Sequence, residues 1–216
     1  MHFYSLFKQF IRNPKQTGAV VASGPQLCRV LATTARVREA GVILELGTGT
    51  GVVTAEIMRQ KSATARLIGI EINDLLAAKT QQRCPGAEIV HADAVRAREI
   101  LTARGLDGCD CIVSGLPWAT FPEQLQDQLL AAARQVLRPG GSFVTFAYLQ
   151  GLLLPSAQRF YAKLQQQFDT VEMTPVVWAN LPPAVVYLAT QRPARRGRKL
   201  AGRRKPLRQL GGGLPK

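Results

Sequence analysis

The sequence predicts an α/β fold with a seven-stranded, mostly parallel sheet and helices on both faces. Two observations carry this. Short apolar runs alternate with helix-spaced segments from about residue 42 onward, which requires crossover connections and therefore parallel strands. The last two apolar runs are separated only by "ANLPP", too short for a crossover helix, so the final pair is antiparallel. "VILEL" (42–46) ends at glycines, and "GVVTAEIMRQ" (51–60) follows with helical spacing of Val52, Ala55, Ile57 and Met58. "RLIGIEI" (66–72) is the second strand. Asn73 or Asp74 can cap the next helix, because their side-chain oxygens accept orphan N–H groups. "AEIVHA" (87–92), "CDCIVS" (109–114) and "SFVTFAY" (142–148) are the next strands, and "TVEMTPVVW" and "AVVYLAT" close the sheet. A long helix is expected over 122–141, stopped by Pro139-Gly140-Gly141. Alternation puts Cys109 and Cys111 on one strand face.

The chain has 216 residues and 46% hydrophobic content, enough for one sizeable core. No apolar run approaches the roughly 20 residues that span a bilayer, and the start lacks the pattern of a secretory signal. Four cysteines form no C-x-x-C pair and only two His are present, so no metal site is expected and the thiols should be reduced and buried. These features point to a cytoplasmic protein. They fix no oligomeric state.

The net charge of +14 is unevenly placed. Residues 1–38 hold six Lys or Arg and no acid; residues 192–216 hold ten and no acid; between them the chain is almost balanced. We read three regions: an amphipathic and capping N-terminal region (1–38), a catalytic domain (39–191) and a basic tail without apolar periodicity (192–216). Phe3, Leu6, Phe7, Phe10 and Ile11 fall at helical spacing among Lys8, Arg12 and Lys15, the pattern of an interfacial helix. Residues 1–15 and 192–216 are together expected to seek a polyanion, either an anionic membrane surface or RNA.

The cofactor signal begins at Glu45 in "ELGTGTG", with Gly47, Gly49 and Gly51 spaced by two. Such a turn lets a ligand approach the backbone closely. A dinucleotide fingerprint would put a small residue at 52, where Val52 stands, so NAD is the runner-up. Glu71 ends the second strand, where a carboxylate can accept from ribose hydroxyls. Asp93 ends the third, where a carboxylate can accept from an adenine amino group. The combination E-L-G-T-G-T-G, I-E-I-N and A-D-A resembles the class I methyltransferases, whose fold is Rossmann-like and whose cofactor is S-adenosylmethionine. The resemblance implies cofactor contacts at Glu45, Gly47, Thr48, Gly49, Gly51, Glu71, Ile72, Asp93, Ala94 and Ser114.

"SGLPW" (114–118) raises the question of which amine is methylated. In adenine-N6 dimethyltransferases of ribosomal RNA the loop reads Asn-x-Pro-aromatic, and its amide accepts from the flipped base. Gly115 stands at that Asn and has no side-chain acceptor. "FIRNPKQTGAVVASG", "SGLPWATFP" and "VWANLPPAVVYLA" are instead similar to the peripheral bacterial phospholipid N-methyltransferases, with a departure at Ala22-Ser23-Gly24, where that family reads Pro-Ser-Ser. This second resemblance implies methylation of phosphatidylethanolamine toward phosphatidylcholine on the inner face of the cell membrane. It adds Thr17 and Gly18 to the cofactor contacts, and brings Ser114, Leu116, Pro117, Trp118, Tyr148, Trp178, Asn180 and Tyr187 to the amine. The four aromatics could surround an ammonium group, and Asn180 could hold the lipid phosphate or its own turn. An RNA adenine or a small molecule is the alternative acceptor.

Overall fold

The computed structural model describes residues 23–192. Thr17, Gly18, the amphipathic stretch 1–15 and the basic tail beyond Arg192 lie outside the described residues. Seven strands form one sheet: β1 (Val42–Leu46), β2 (Arg66–Glu71), β3 (Glu88–His91), β4 (Cys109–Ser114), β5 (Leu137–Tyr148), β6 (Thr170–Met173) and β7 (Ala184–Thr190). Their order is β3-β2-β1-β4-β5-β7-β6. The first five strands pair in parallel, and β7 runs antiparallel between β5 and β6.

Among the described residues, six helices cover the sheet: α1 (Pro25–Thr34), α2 (Val52–Gln60), α3 (Asp74–Arg83), α4 (Ala97–Thr102), α5 (Glu123–Val136) and α6 (Pro155–Gln167). Period-two side chains divide the core between the faces. Leu44, Leu46, Ile68, Ile70, Ile112 and Phe143 pack under α4, α5 and α6. Ile43, Leu67, Cys111, Val113, Val144 and Val186 pack under α1 and α2. Burying apolar surface contributes roughly 25 cal/mol per Å², so strands covered on both faces read as continuous apolar runs; β1 is buried at every position. No helix among the described residues is long and apolar enough to cross a membrane.

Two expectations are corrected. The helix expected to run to Gly141 ends at Val136, and β5 begins at Leu137. Pro139-Gly140-Gly141 bends the strand instead: Gly140 takes φ +83°, and Gly141 lies where a Cβ would meet Arg138 O and Asp110 O at 2.8 Å. Cys109 and Cys111 do not share a face, and the β4–β5 register is irregular between them. Cys109 joins the α4–α6 side of the core and Cys111 the α1–α2 side. All four cysteines are free and buried.

Candidate active site

The carboxyl ends of β1, β2, β3 and β4 present the groups singled out above on one edge. After β1 the chain makes its turn with Gly47, Gly49 and Gly51 at φ +75°, +55° and +78°. L side chains rarely adopt this left-handed region. Gly47 is also needed for space, since a Cβ there would sit 2.6 Å from Leu116 Cδ2. Gly49 differs: a Cβ there would meet nothing within 4 Å, so its backbone faces open space. Thr80 Oγ1 donates to Gly49 O (2.9 Å), and the Arg83 guanidinium donates to Thr50 O (3.2 Å), tying α3 to the turn. Neither residue is legible from sequence, because a Thr or Arg inside a helix carries no signal of what it faces.

Glu71 is buried and accepts from Gly49 N (2.8 Å) through Oε2 and from Asn73 N (3.0 Å) through Oε1. A carboxylate offers about four acceptor positions, so capacity remains for ribose hydroxyls. Asn73 caps α3 by accepting from Leu76 N. Asp93 Oδ1 accepts from Val95 N (3.0 Å), and the backbone turns into a short 3-10 segment, Ala94–Arg96, with Ala94 buried. Ile72 is part-buried against the core; its carbonyl lies 3.1 Å from His91 Nε2, joining the ends of β2 and β3.

Glu45 is fully buried beneath the glycine turn. Burial pushes its carboxyl up to about 8, the neighbouring Glu71 carboxylate adds to the rise, and the Thr54 hydroxyl pulls the other way. Among the described residues, Glu45 Oε2 and Thr48 Oγ1 are buried without a hydrogen-bond partner, while the Thr54 hydroxyl lies against the Glu45 carboxyl. An unpaired buried polar atom costs about 1–3 kcal/mol. Two of them beside one turn mark a place where a ligand can supply the missing partners. An ammonium donor suits Glu45, and the Thr48 hydroxyl can donate or accept. The residues therefore fit S-adenosylmethionine.

The "SGLPW" loop departs from expectation. Ser114 Oγ accepts from Trp118 Nε1 (3.0 Å) and from Leu116 N (3.4 Å), so the hydroxyl holds the loop. Trp118 is only 2% exposed and stacks on Phe160 with centroids 4.9 Å apart. The expectation of an aromatic face toward an ammonium group is corrected here, because the indole belongs to the core. Gln126, unmarked by the sequence, donates from Nε2 to Trp118 O and Phe121 O and so fixes the loop from α5. Gly115 is set by space as well as by the missing acceptor. A Cβ there would lie 2.8 Å from Gly47 O, so glycine lets the loop close against the turn. Leu116 is buried against Gly47 and Pro117 is half-buried at the edge.

The remaining candidates separate. Tyr187 is buried beside Tyr161 (5.3 Å between centroids) and belongs to the core. Asn180 is buried; its Oδ1 accepts from Gly24 N (2.8 Å) and its Nδ2 donates to Pro182 O (2.5 Å). Its amide thus ties the start of α1 to the β6–β7 link, the turn-holding role of the two that the sequence offered. Trp178 is exposed in the β6–β7 link, and among the described residues it encloses no site. Tyr148 is half-buried at the end of β5, where burial raises its hydroxyl. Pro117 and Tyr148 are left as partly buried positions just beyond β4 and at the end of β5. No cluster of metal-ligating side chains occurs among the described residues.

Comparison with known proteins matches this geometry. A family model described as a methyltransferase domain matches residues 43–141. The chain is 30% identical over 188 residues to an ornithine lipid N-methyltransferase of Singulisphaera acidiphila, covering 86% of this chain and 94% of that protein. A ribosomal RNA small subunit methyltransferase A of Streptomyces avermitilis is 32% identical over 98 residues, but this covers 42% of the chain and 32% of that protein. The fold resembles the O-methyltransferase TomG of Streptomyces achromogenes, solved with S-adenosylmethionine, at TM-score 0.62 and 22% identity over 79% of this chain and 82% of that one. The chain belongs to the class I S-adenosylmethionine-dependent methyltransferases, in a family that includes a lipid-modifying N-methyltransferase.

Proposed function

We propose that the chain methylates the amine of a membrane aminolipid, with phosphatidylethanolamine and its methylated derivatives as the substrates and phosphatidylcholine as the end product. The observation that carries the lipid reading is the full-length similarity to an enzyme that methylates ornithine lipid. Ornithine lipid is accordingly the second reading. The three sequence segments that resemble the phospholipid N-methyltransferases, with Gly115 in one of them, favour phosphatidylethanolamine over an adenine, and the match to an RNA methyltransferase stops at less than half the chain. Residues 1–15 and 192–216 would hold the enzyme on the anionic inner surface of the membrane, each basic residue contributing about 1 kcal/mol near that surface.

S-adenosylmethionine supplies an activated methyl group on sulfur. Glu71 would accept from the ribose hydroxyls, Asp93 from the adenine amino group, and Glu45 from the ammonium, with Thr48 satisfying its hydroxyl on the same ligand. The glycine turn brings backbone close to the methionine portion. In-line transfer then needs alignment and exclusion of water, which Pro117, Leu116 and Tyr148 would provide on the amine side. Ser114, Trp118 and Gln126 position that loop, and Asn180 and Tyr187 fix the end of the sheet behind it.

Labelled S-adenosylmethionine offered with phosphatidylethanolamine vesicles, ornithine lipid vesicles, or undermodified ribosomal RNA separates the readings. Label is expected in mono-, di- or trimethylated phosphatidylethanolamine. Label in ornithine lipid alone would move the assignment to the second reading. Label in RNA and in neither lipid would overturn the proposal.

A further inference from the structure

Among the described residues, the exposed large apolar side chains are Leu75, Leu153, Leu154, Met173, Trp178 and Leu181. All lie on the carboxyl edge. Leu75 is in the first turn of α3, directly after β2, and Met173 ends β6. Leu153 and Leu154 lie in the link from β5 to α6, and Trp178 and Leu181 in the link from β6 to β7. The amino edge has none. Single exposed apolar residues scattered over a surface carry no message, but a cluster on one edge marks a contact.

The two links form a joined surface. Leu149 N donates to Pro183 O (2.8 Å), Tyr148 pairs with Ala184, and Val177 bridges to Ala184. Gly24 N, where residues 1–22 join the described fold, is fastened to Asn180 in the same link.

We propose that Leu153, Leu154, Trp178 and Leu181 form a rim that inserts into the boundary between headgroups and acyl chains of an anionic bilayer, seating the carboxyl edge face-down on the membrane. The choice of a bilayer rests on the aminolipid reading, and on two further observations. The ten Lys or Arg without an acid in residues 192–216 call for an anionic partner. A second copy of a chain with net charge +14 is repelled by the same charge. Face-down seating brings the glycine turn to the headgroups, so a lipid amine reaches the site without leaving the membrane.

The chain carries its own probe. Of its two tryptophans, Trp118 is 2% exposed in the core and Trp178 is 71% exposed on the rim. The full chain is mixed with phosphatidylglycerol–phosphatidylethanolamine vesicles whose acyl chains are brominated, and tryptophan quenching is compared with that of Trp178→Phe. Bromine quenching is expected in the wild type and to vanish in Trp178→Phe. The double variant Leu153→Ser with Leu154→Ser should bind vesicles on the order of tenfold more weakly. Its S-adenosylmethionine affinity, and its methylation of a water-soluble short-chain aminolipid, should stay unchanged, which reports an intact fold. Vesicle-bound protein whose Trp178 is unquenched by bromolipid and as open to acrylamide as in solution would overturn the rim, as would its protection by concentration-dependent self-association. Label in lipid with an unquenched Trp178 rejects the rim and keeps the function; quenching without label keeps the rim and rejects the aminolipid reading.

Discussion

At the amino edge of the sheet, charges are paired. Arg66 and Arg104 flank Glu88, Arg138 joins Asp107 and Asp110, and Arg192 meets Asp169. The remaining Asp110 oxygen accepts from Gly41 N and Val42 N, both at 2.8 Å. At the carboxyl edge, Glu45 Oε2 and Thr48 Oγ1 have no partner, three glycines hold left-handed turns, and large apolar side chains stand in solvent. The same strands supply both edges, so the contrast is not one of fold. Polar groups that only stabilise a chain can be satisfied within it. Groups that await a ligand are left short of partners, and folding elsewhere offsets that cost.

The largest effect should come from Gly115→Ala. The new Cβ meets backbone, Gly47 O at 2.8 Å, so the amine-side loop and the glycine turn must part. Displacement by even about 1 Å at a reacting centre costs roughly 10²-fold in rate, so kcat/KM should fall by about that factor. Activity within twofold of the wild type would show that the two loops do not act together.

Glu71→Ala against Asp110→Ala sharpens the contrast next. Each charge-assisted hydrogen bond lost at Glu71 costs on the order of 1.5–3 kcal/mol, so calorimetric affinity for S-adenosylmethionine should fall at least tenfold. Asp110→Ala should lower stability by about 1–3 kcal/mol, a melting shift of several degrees, and leave that affinity intact. The reverse pattern would exchange the roles of the two edges.

Glu45 makes the contrast pH-dependent. Its carboxyl titrates near 8 when folded, against an ordinary 4.5. Between those values the unfolded chain has released the proton that the folded chain keeps, so stability falls as pH rises through this window. Glu45→Gln should flatten that slope in urea unfolding at several pH values and gain relative to the wild type toward pH 8. A cationic ligand beside Glu45 lowers its pKa, so cofactor binding should release a proton below about pH 8, read by calorimetry in buffers of different ionisation enthalpy. A slope unchanged in Glu45→Gln would assign it to other groups.

The smallest effect is expected at the amino edge. Arg104→Ala removes one partner of a part-exposed pair and should cost under about 1 kcal/mol. A larger loss would show that the Arg66–Glu88–Arg104 cluster is more than surface pairing.

What the sequence made legible follows the same division. The glycine spacing, Glu71 and Asp93 could be read because backbone conformation and strand ends constrain residue type directly. The antiparallel end of the sheet was legible although the link was read too short: β6 ends at Met173 and the link runs over 174–183, which still holds no crossover helix. The fate of Trp118 and Ser114 was not, because an indole beside a loop reads alike whether it faces a ligand or Phe160. Gln126 and Thr80 carried no signal, since their partners are backbone oxygens distant in sequence. The bend at Pro139–Gly141 was misread because the residues that stop a helix also bend a strand. The exposed rim escaped because Leu and Trp count toward a core until burial is known.

Hydrogen exchange of the full chain, alone, with S-adenosylhomocysteine, and with anionic vesicles, tests the division between the edges most directly. S-adenosylhomocysteine should slow exchange at 47–51, 71–74 and 93–95, and vesicles should slow it at 149–154 and 176–183. Residues 107–110 and 138–141 should exchange at the same rate in all three. Ligand protection at the amino edge, or an unchanged glycine turn, would contradict the assignment of function to the carboxyl edge.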